Sequence, residues 1–328
     1  MNTISTTGMP SIPTYQPSAW RNRLRGNALA IVLVVLIASA GIAAPSLFNA
    51  DNLANMALQF APLGVVVVGQ MLVILVRGLD LSVSSVMATS AVVATSFNGQ
   101  NADLRWIVPL ALGMGAFVGA VNGLLVTKRQ VSPFLATLAT MIVLQGARNA
   151  WTQGAPSGNV PPLLRVIGAG MTEGVPNNAL PLICIATLTY VLLHRSTFGR
   201  RMYLVGGSPN AARLVGIAVD RVTVTAYVLS GVFAAVSGLI LSGYVSVVDN
   251  WVGKNFELDS IVAAVMGGIA LSGGKGGVRD ALLGAAILVL LSNAVVIVGL
   301  PIHIQLVMKG FIIVAAAALY VAKSKARH

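Results

Sequence analysis

Long apolar runs, separated by short polar segments, follow one another along almost the whole chain. They fall near residues 28–45, 53–76, 83–97, 106–126, 133–150, 179–193, 222–246, 258–272, 278–299 and 303–322. A helix needs roughly 20 apolar residues to cross the hydrocarbon core, and fewer if flanking residues snorkel. The pattern predicts an all-α, polytopic membrane protein with about ten transmembrane helices, the third, sixth and eighth runs being the shortest. On this reading residues 1–27 are an N-terminal tail, 28–322 the transmembrane domain and 323–328 a C-terminal tail.

Basic residues in short loops tend to stay on the cytoplasmic side. With the N-terminus inside, sixteen of them lie inside, from Arg21 through Arg77, Lys128, Arg213 and Lys275 to Arg327. Four lie outside (Arg105, Arg148, Arg165 and Lys254), and Lys309 falls within the last run. This asymmetry favours an even number of spans with both termini cytoplasmic. The first run, with arginines before it and Ala38–Ala40 near its end, has some features of a signal peptide. Its long leading segment and the polytopic chain that follows favour an uncleaved helix.

Composition agrees: 56% of the 328 residues are hydrophobic and 9% charged, with a mean hydropathy of +0.84. Such a chain lacks the polar surface of a water-soluble globule. A formal charge of +12 raises nucleic-acid binding, but the basic residues sit in loops with no basic face interleaved with aromatics, which excludes it. Cys184 stands alone inside an apolar run and reads as a small buried hydrophobe. His194, His303 and His328 lack ligand spacing, so no metal site is expected.

Trp106, Trp151 and Trp251 fall near the outer ends of runs, where an indole anchors at the interface. Gly115, Gly119 and Gly123 share one helix stripe, as do Ala234, Gly238 and Ser242. Lipid supplies no hydrophobic drive for helix association, so small residues predict close backbone packing there.

The longest polar interruption on the inner side runs from His194 to Arg221. Ser208 can cap a helix whose first residue is Pro209, and Gly216 can end it. Ala211, Leu214 and Val215 then form an apolar stripe on a loop that faces water. Such a stripe either packs under its own membrane domain or awaits a partner.

Asn210, Ala211 and Ala212, followed by Gly216, resemble the "EAA…G" coupling-helix motif of binding-protein-dependent ABC importer permeases, with Asn210 where glutamate usually stands. Gly78–Ala94 is similar to the "GIDLSVGS" signature of the ribose/xylose-type sugar permeases, with Ser84 replacing its last glycine. Glu257–Ala285 is similar to a further block of the same family. The resemblance implies the membrane subunit of an ATP-driven importer in a bacterial inner membrane, moving a monosaccharide delivered by a periplasmic binding protein. It also implies two ABC ATPase subunits and a second permease copy or paralogue as partners. Ser208, Pro209, Asn210, Ala211, Ala212, Leu214, Val215 and Gly216 would then form the surface coupled to the ATPase.

Asp80 is an acid between two runs with almost no polar loop around it. It either serves a transport path or acts as a helix N-terminal charge partnered by Ser82. Gln70, Asn122, Gln145, Asn149, Asn293 and Gln305 are uncharged polar groups in or near runs. Gln70, Ser82, Asn122 and Asn293 join Asp80 as candidates for the path, although an interhelical hydrogen bond is the alternative for each. The glycine-rich segment Gly267–Arg279 fails the phosphate-loop spacing, because Gly274 stands where lysine is needed. The chain is therefore expected to be no enzyme, to need no cofactor and to leave ATP hydrolysis to another chain. The outer segments Trp151–Asn178 and Gly243–Asp259 are the expected landing surface for a binding protein, with Asp249 and Glu257 as candidate ion-pair partners. Alternatives are a permease for branched-chain amino acids or nucleosides, and an ion-coupled secondary transporter, for which only Asp80 and Lys309 offer embedded charges.

Overall fold

A computed structural model describes residues 45–301, together with residue 41, residues 303–307 and 309–311, and residue 314. Both expected tails lie outside the described residues, as does nearly all of the first expected span. Among the described residues the helices in chain order are α1 (Ala50–Leu75), α2 (Val83–Thr95), α3 (Leu104–Lys128), α4 (Pro133–Thr152) and α5 (Pro162–Ala169). There follow α6 (Ala179–Arg195), α7 (Thr197–Gly207), α8 (Pro209–Leu214), α9 (Val219–Val245), α10 (Phe256–Met266) and α11 (Val278–Ile297). Residues 303–307 and 309–311 are also helical. A two-residue hairpin, Met171–Thr172 with Val175–Pro176, interrupts the otherwise helical chain. Its turn places Glu173 and Gly174 at positive φ, the backbone that a tight hairpin of this hand requires.

Among the described residues four helices are long and apolar enough to cross a membrane: α1, α3 with the preceding 3-10 turn, α9 and α11. The pair α6 and α7, bent by 76°, makes a fifth if the two are one broken span. The shorter runs make shorter helices than expected. With 13 residues, α2 spans about 20 Å, and with 11 residues, α10 spans about 16 Å, against a hydrocarbon core of about 30 Å. The eighth expected span, 258–272, is thus corrected to a half-length helix and a loop. It stops at Met266 because the next two positions are glycines: a Cβ at Gly267 would collide with the Asp280 carbonyl, and Gly268, at φ +87°, turns the backbone out of the helix.

From Leu63 to Leu75 every residue of α1 is buried, and α6, α9, α10 and α11 pack around it. A helix that is apolar on all sides belongs in such a position. Pro62 inside α1 cannot donate to the Leu58 carbonyl. Asn178 Nδ2 donates to that carbonyl at 2.9 Å instead, and Ser237 Oγ donates to the Pro62 carbonyl at 2.6 Å. Asn178 therefore satisfies the carbonyl that the proline releases, as an apolar surrounding demands.

The small-residue stripes pack as their spacing implies. A Cβ on Gly115 or Gly119 would collide with the carbonyl oxygens of Gly231 and Tyr227 on α9, and one on Gly238 with the Met87 carbonyl on α2. Outward faces carry exposed Phe117, Leu135, Ile142, Val143, Leu180, Ile183 and Leu188, the surface that lipid accepts. Cys184 is exposed on this outer face of α6, which corrects the expectation of burial. A lipid-facing residue is as apolar as a core one, so the apolar run around it could not tell the two apart. Trp106, Trp151 and Trp251 are all more than half exposed.

Candidate functional site

The chain breaks between α1 and α2, over Val76 to Ser82, and polar groups gather at this break. Arg77 has φ 66°, which turns the backbone out of α1 and leaves carbonyl and N–H groups of Leu79 and Asp80 without helical partners. With its amide in the complementary orientation, Gln70 donates to the Asp80 carbonyl at 3.0 Å and accepts from the Asp80 N–H at 3.2 Å. The Tyr227 hydroxyl donates to the Leu79 carbonyl at 3.2 Å.

The Asp80 side chain, 1% exposed, accepts three hydrogen bonds. Ser82 donates its N–H at 3.0 Å and its hydroxyl at 2.6 Å, and Ser230 on α9 donates its hydroxyl at 2.9 Å. Ser82 Oγ in turn accepts from Asn122 Nδ2 at 2.9 Å, and Thr140 Oγ1 on α4 donates to Asn122 Oδ1 at 2.7 Å. One hydrogen-bonded chain thus joins the α1–α2 break to α3, α4 and α9. Gln70, Asp80, Ser82 and Asn122 are brought together. Asn293 is not among them: its amide donates to Gln59 Oε1 at 3.3 Å and to the Val289 carbonyl at 3.0 Å. Gln305 donates to the Ser292 carbonyl at 2.9 Å, and Lys309 pairs with Asp259 at 2.7 Å.

Toward the loop side of the same break lies the segment expected to contact a partner. Ser208 Oγ accepts from the Ala211 N–H at 3.3 Å and caps α8, whose first residue is Pro209. Gly216, at φ +78°, closes it: its N–H donates to the Arg213 carbonyl and that of Ile217 to the Ala212 carbonyl. These two bonds form the glycine-terminated Schellman motif. Ala212 is buried, whereas Leu214 and Val215 stand 89% and 72% exposed; Asn210 and Ala211 are exposed too. Arg213 and Lys128 both pair with Asp220, at 3.3 and 2.9 Å, and tie α8 to the start of α9 and the end of α3.

The break and this segment touch. Arg77 Nε donates to the Gly206 carbonyl at 2.7 Å and its Nη2 to the Gly207 carbonyl, one residue before the α8 cap. Gly274, in the loop after α10, donates its N–H to the Leu75 carbonyl at 2.9 Å. A Cβ on Gly206 would collide with that same carbonyl and with the Gly274 N–H. The glycines once compared with a phosphate loop serve close backbone packing here.

Sequence reasoning missed Arg148, which it sorted as an outer-loop charge. It is 4% exposed and lines a cavity between α2, α4 and the segment around Asn250. Gln145, Arg148 and Thr152, at three- and four-residue spacing on α4, were the signal available. Ser230 and Tyr227 were missed as well.

A family model described as "Branched-chain amino acid transport system / permease component" matches residues 52–317. The ribose import permease protein RbsC of Escherichia coli (strain K12) is 36% identical over 290 residues, covering 87% of this chain and 90% of that one. RbsC of Bacillus subtilis (strain 168) is 36% identical over 296 residues, covering 90% and 91%. The galactose/methyl galactoside import permease protein MglC of Haemophilus influenzae is 28% identical over 316 residues, covering 90% and 94%. No solved structure matches. With a multi-pass helical architecture and a family match across most of its length, the chain belongs to the permease components of this transport family.

Proposed function

We propose that this chain is the membrane-spanning subunit of an ATP-driven importer in a bacterial inner membrane, and that it passes a monosaccharide delivered by a periplasmic binding protein. The observation that carries the reading is the capped helix α8, with Leu214 and Val215 bare at the surface and Arg77 joining its base to the core. Burying two such side chains against a partner is favourable by about 1.5–3 kcal/mol each. The relatives named as ribose and galactose import permeases support the cargo class.

In this reading two ATPase subunits act on Ser208–Gly216 of this chain and of a second copy or paralogue. Closure of the ATPases displaces α8, Arg77 transmits the displacement to the α1–α2 break, and the chain of Asp80, Ser82, Asn122 and Thr140 carries it to α4. Asp80 and its partners then switch access rather than hold cargo. The outer segments Trp151–Asn178 and Gly243–Asp259 receive the binding protein.

The test is uptake into vesicles that hold the chain with its ATPase and binding protein. Uphill accumulation of a monosaccharide should require ATP and survive an uncoupler. Uphill uptake by the chain alone, without nucleotide, overturns the reading, and collapse with an uncoupler at constant ATP favours the ion-coupled alternative. The family description favours one other cargo, branched-chain amino acids; a ligand screen on the co-purified binding protein separates that from sugar, and from nucleosides.

A further inference from the structure

The cavity that Arg148 lines is bounded by Ser84 and Ser85 of α2, Gln145 of α4, Asn250 and Trp251 of the segment leading into α10, and Glu257 in the first turn of α10. Its volume is about 160 Å³, below the ~300 Å³ at which pockets for drug-sized ligands begin and ample for a small solute. The guanidinium is fixed at the cavity wall. Its Nη1 donates to the Ser85 carbonyl and to Thr89 Oγ1, both at 3.3 Å, and its Nη2 to the Asn250 carbonyl at 2.9 Å. No carboxylate lies within ion-pair distance of it among the described residues.

Three of the lining side chains each carry a buried polar atom without a partner: Arg148 Nε, a donor, and Asn250 Oδ1 and Glu257 Oε2, both acceptors. Leaving such groups unpaired is costly, and a native site that tolerates them is one where something else completes them. An anion supplies acceptors only and would meet two more. A polyol supplies donors and acceptors from the same hydroxyls. Lys254 also lines the cavity, its ammonium 4.9 Å from the Trp251 ring centroid, and the Glu257 side chain on the same wall sets an acceptor against that charge.

We propose that this cavity is a solute subsite on the binding-protein side of the chain and that it takes a small neutral polyhydroxylated molecule. Arg148 and Asn250 form its fixed wall, and Gln145 and Glu257 its adjustable contacts. The proposal deepens the sugar-importer reading and rests on it. Ser84 stands here where the family signature has glycine, so its hydroxymethyl group narrows the cavity and contributes to the choice of solute.

The test uses the chain's single cysteine count. In the membrane-bound transporter, in spheroplasts that have released the periplasmic binding protein, a Gln145→Cys variant in a Cys184→Ser background is labelled with a membrane-impermeant methanethiosulfonate, and Gln153→Cys serves as the accessible control. D-ribose should slow labelling several-fold at position 145 and leave position 153 unchanged, and D-ribonate should protect neither. Adding Glu257→Gln should raise the D-ribose needed by about tenfold, the loss expected for a hydrogen bond to a charged group. Equal labelling with and without D-ribose, or protection by D-ribonate alone, overturns the subsite. Uptake of D-ribose, D-xylose and D-galactose by whole cells is measured in parallel. Uptake without protection sinks the subsite and spares the function; protection without uptake sinks the function and spares the subsite.

Discussion

Arg77 and Gly206 are 129 residues apart in sequence, yet the Arg77 guanidinium donates to the Gly206 carbonyl at 2.7 Å. The contact joins the point where α1 ends to the point where α7 hands over to α8. Replacing Arg77 with alanine leaves the Gly206 and Gly207 carbonyls without these donors. A hydrogen bond to a charged group contributes about 1.5–3 kcal/mol. We expect Arg77→Ala to insert normally while uptake falls far more than ATP hydrolysis by the complete transporter, with Arg77→Lys intermediate. Proportional loss of both activities would argue against transmission through this contact.

Gly216 closes α8 in the left-handed region. A β-branched residue there costs about 1–2 kcal/mol in backbone strain, and Ala212 is buried with no space for an indole. Gly216→Val and Ala212→Trp should abolish uptake without loss from the membrane, as read by transport assays beside immunoblots of membrane fractions. Unchanged uptake in both variants would remove α8 from the mechanism.

Asp80 organises donors from Ser82 and Ser230. Asp80→Leu should destabilise the detergent-solubilised protein by about 1–3 kcal/mol for each donor left unpaired. Asp80→Asn retains an acceptor oxygen and should lie between it and the native protein in thermal unfolding. An Asp80→Leu protein as stable as the native one would mean that water replaces the carboxylate.

The pairs of Asp220 with Lys128 and Arg213 are largely exposed, and exposed ion pairs contribute about 0–1 kcal/mol. Asp220→Asn should therefore shift unfolding little, and any loss of uptake should shrink as salt is raised. Gly119→Leu forms the contrast. With the Tyr227 carbonyl against it, overpacking should cost about 1–3 kcal/mol or more, visible as lower yield and a lower unfolding temperature.

What could be read from sequence was local. Ser208, Pro209 and Gly216 lie within nine residues, and cap chemistry at that range is set by neighbours, so α8 took the expected form. The stripe of Gly115, Gly119 and Gly123 was legible for the same reason. Ser230 was not, because its link to Asp80 spans 150 residues, and a serine in an apolar helix carries no mark of its partner. Arg148 was misplaced because orientation rules sort charges by loop and cannot see a side chain folding back into the protein. Cys184 shows the matching limit: hydropathy measures distance from water and is blind to the difference between lipid and protein.

Gly206 and Gly274 meet main chain to main chain, with no side chain between them to yield. A contact of that kind has no flexible side chain to absorb a movement toward it, so such a movement meets main-chain repulsion at once. The Gly274 N–H on the Leu75 carbonyl and the Arg77 guanidinium on the Gly206 carbonyl add to this, fastening the end of α7 and the loop leading to α11 to the end of α1 like plates riveted together. On the proposed coupling, a push arriving at one helix would be passed directly to the opposite wall, and this end of the protein would work as a lever rather than as a set of independent rods.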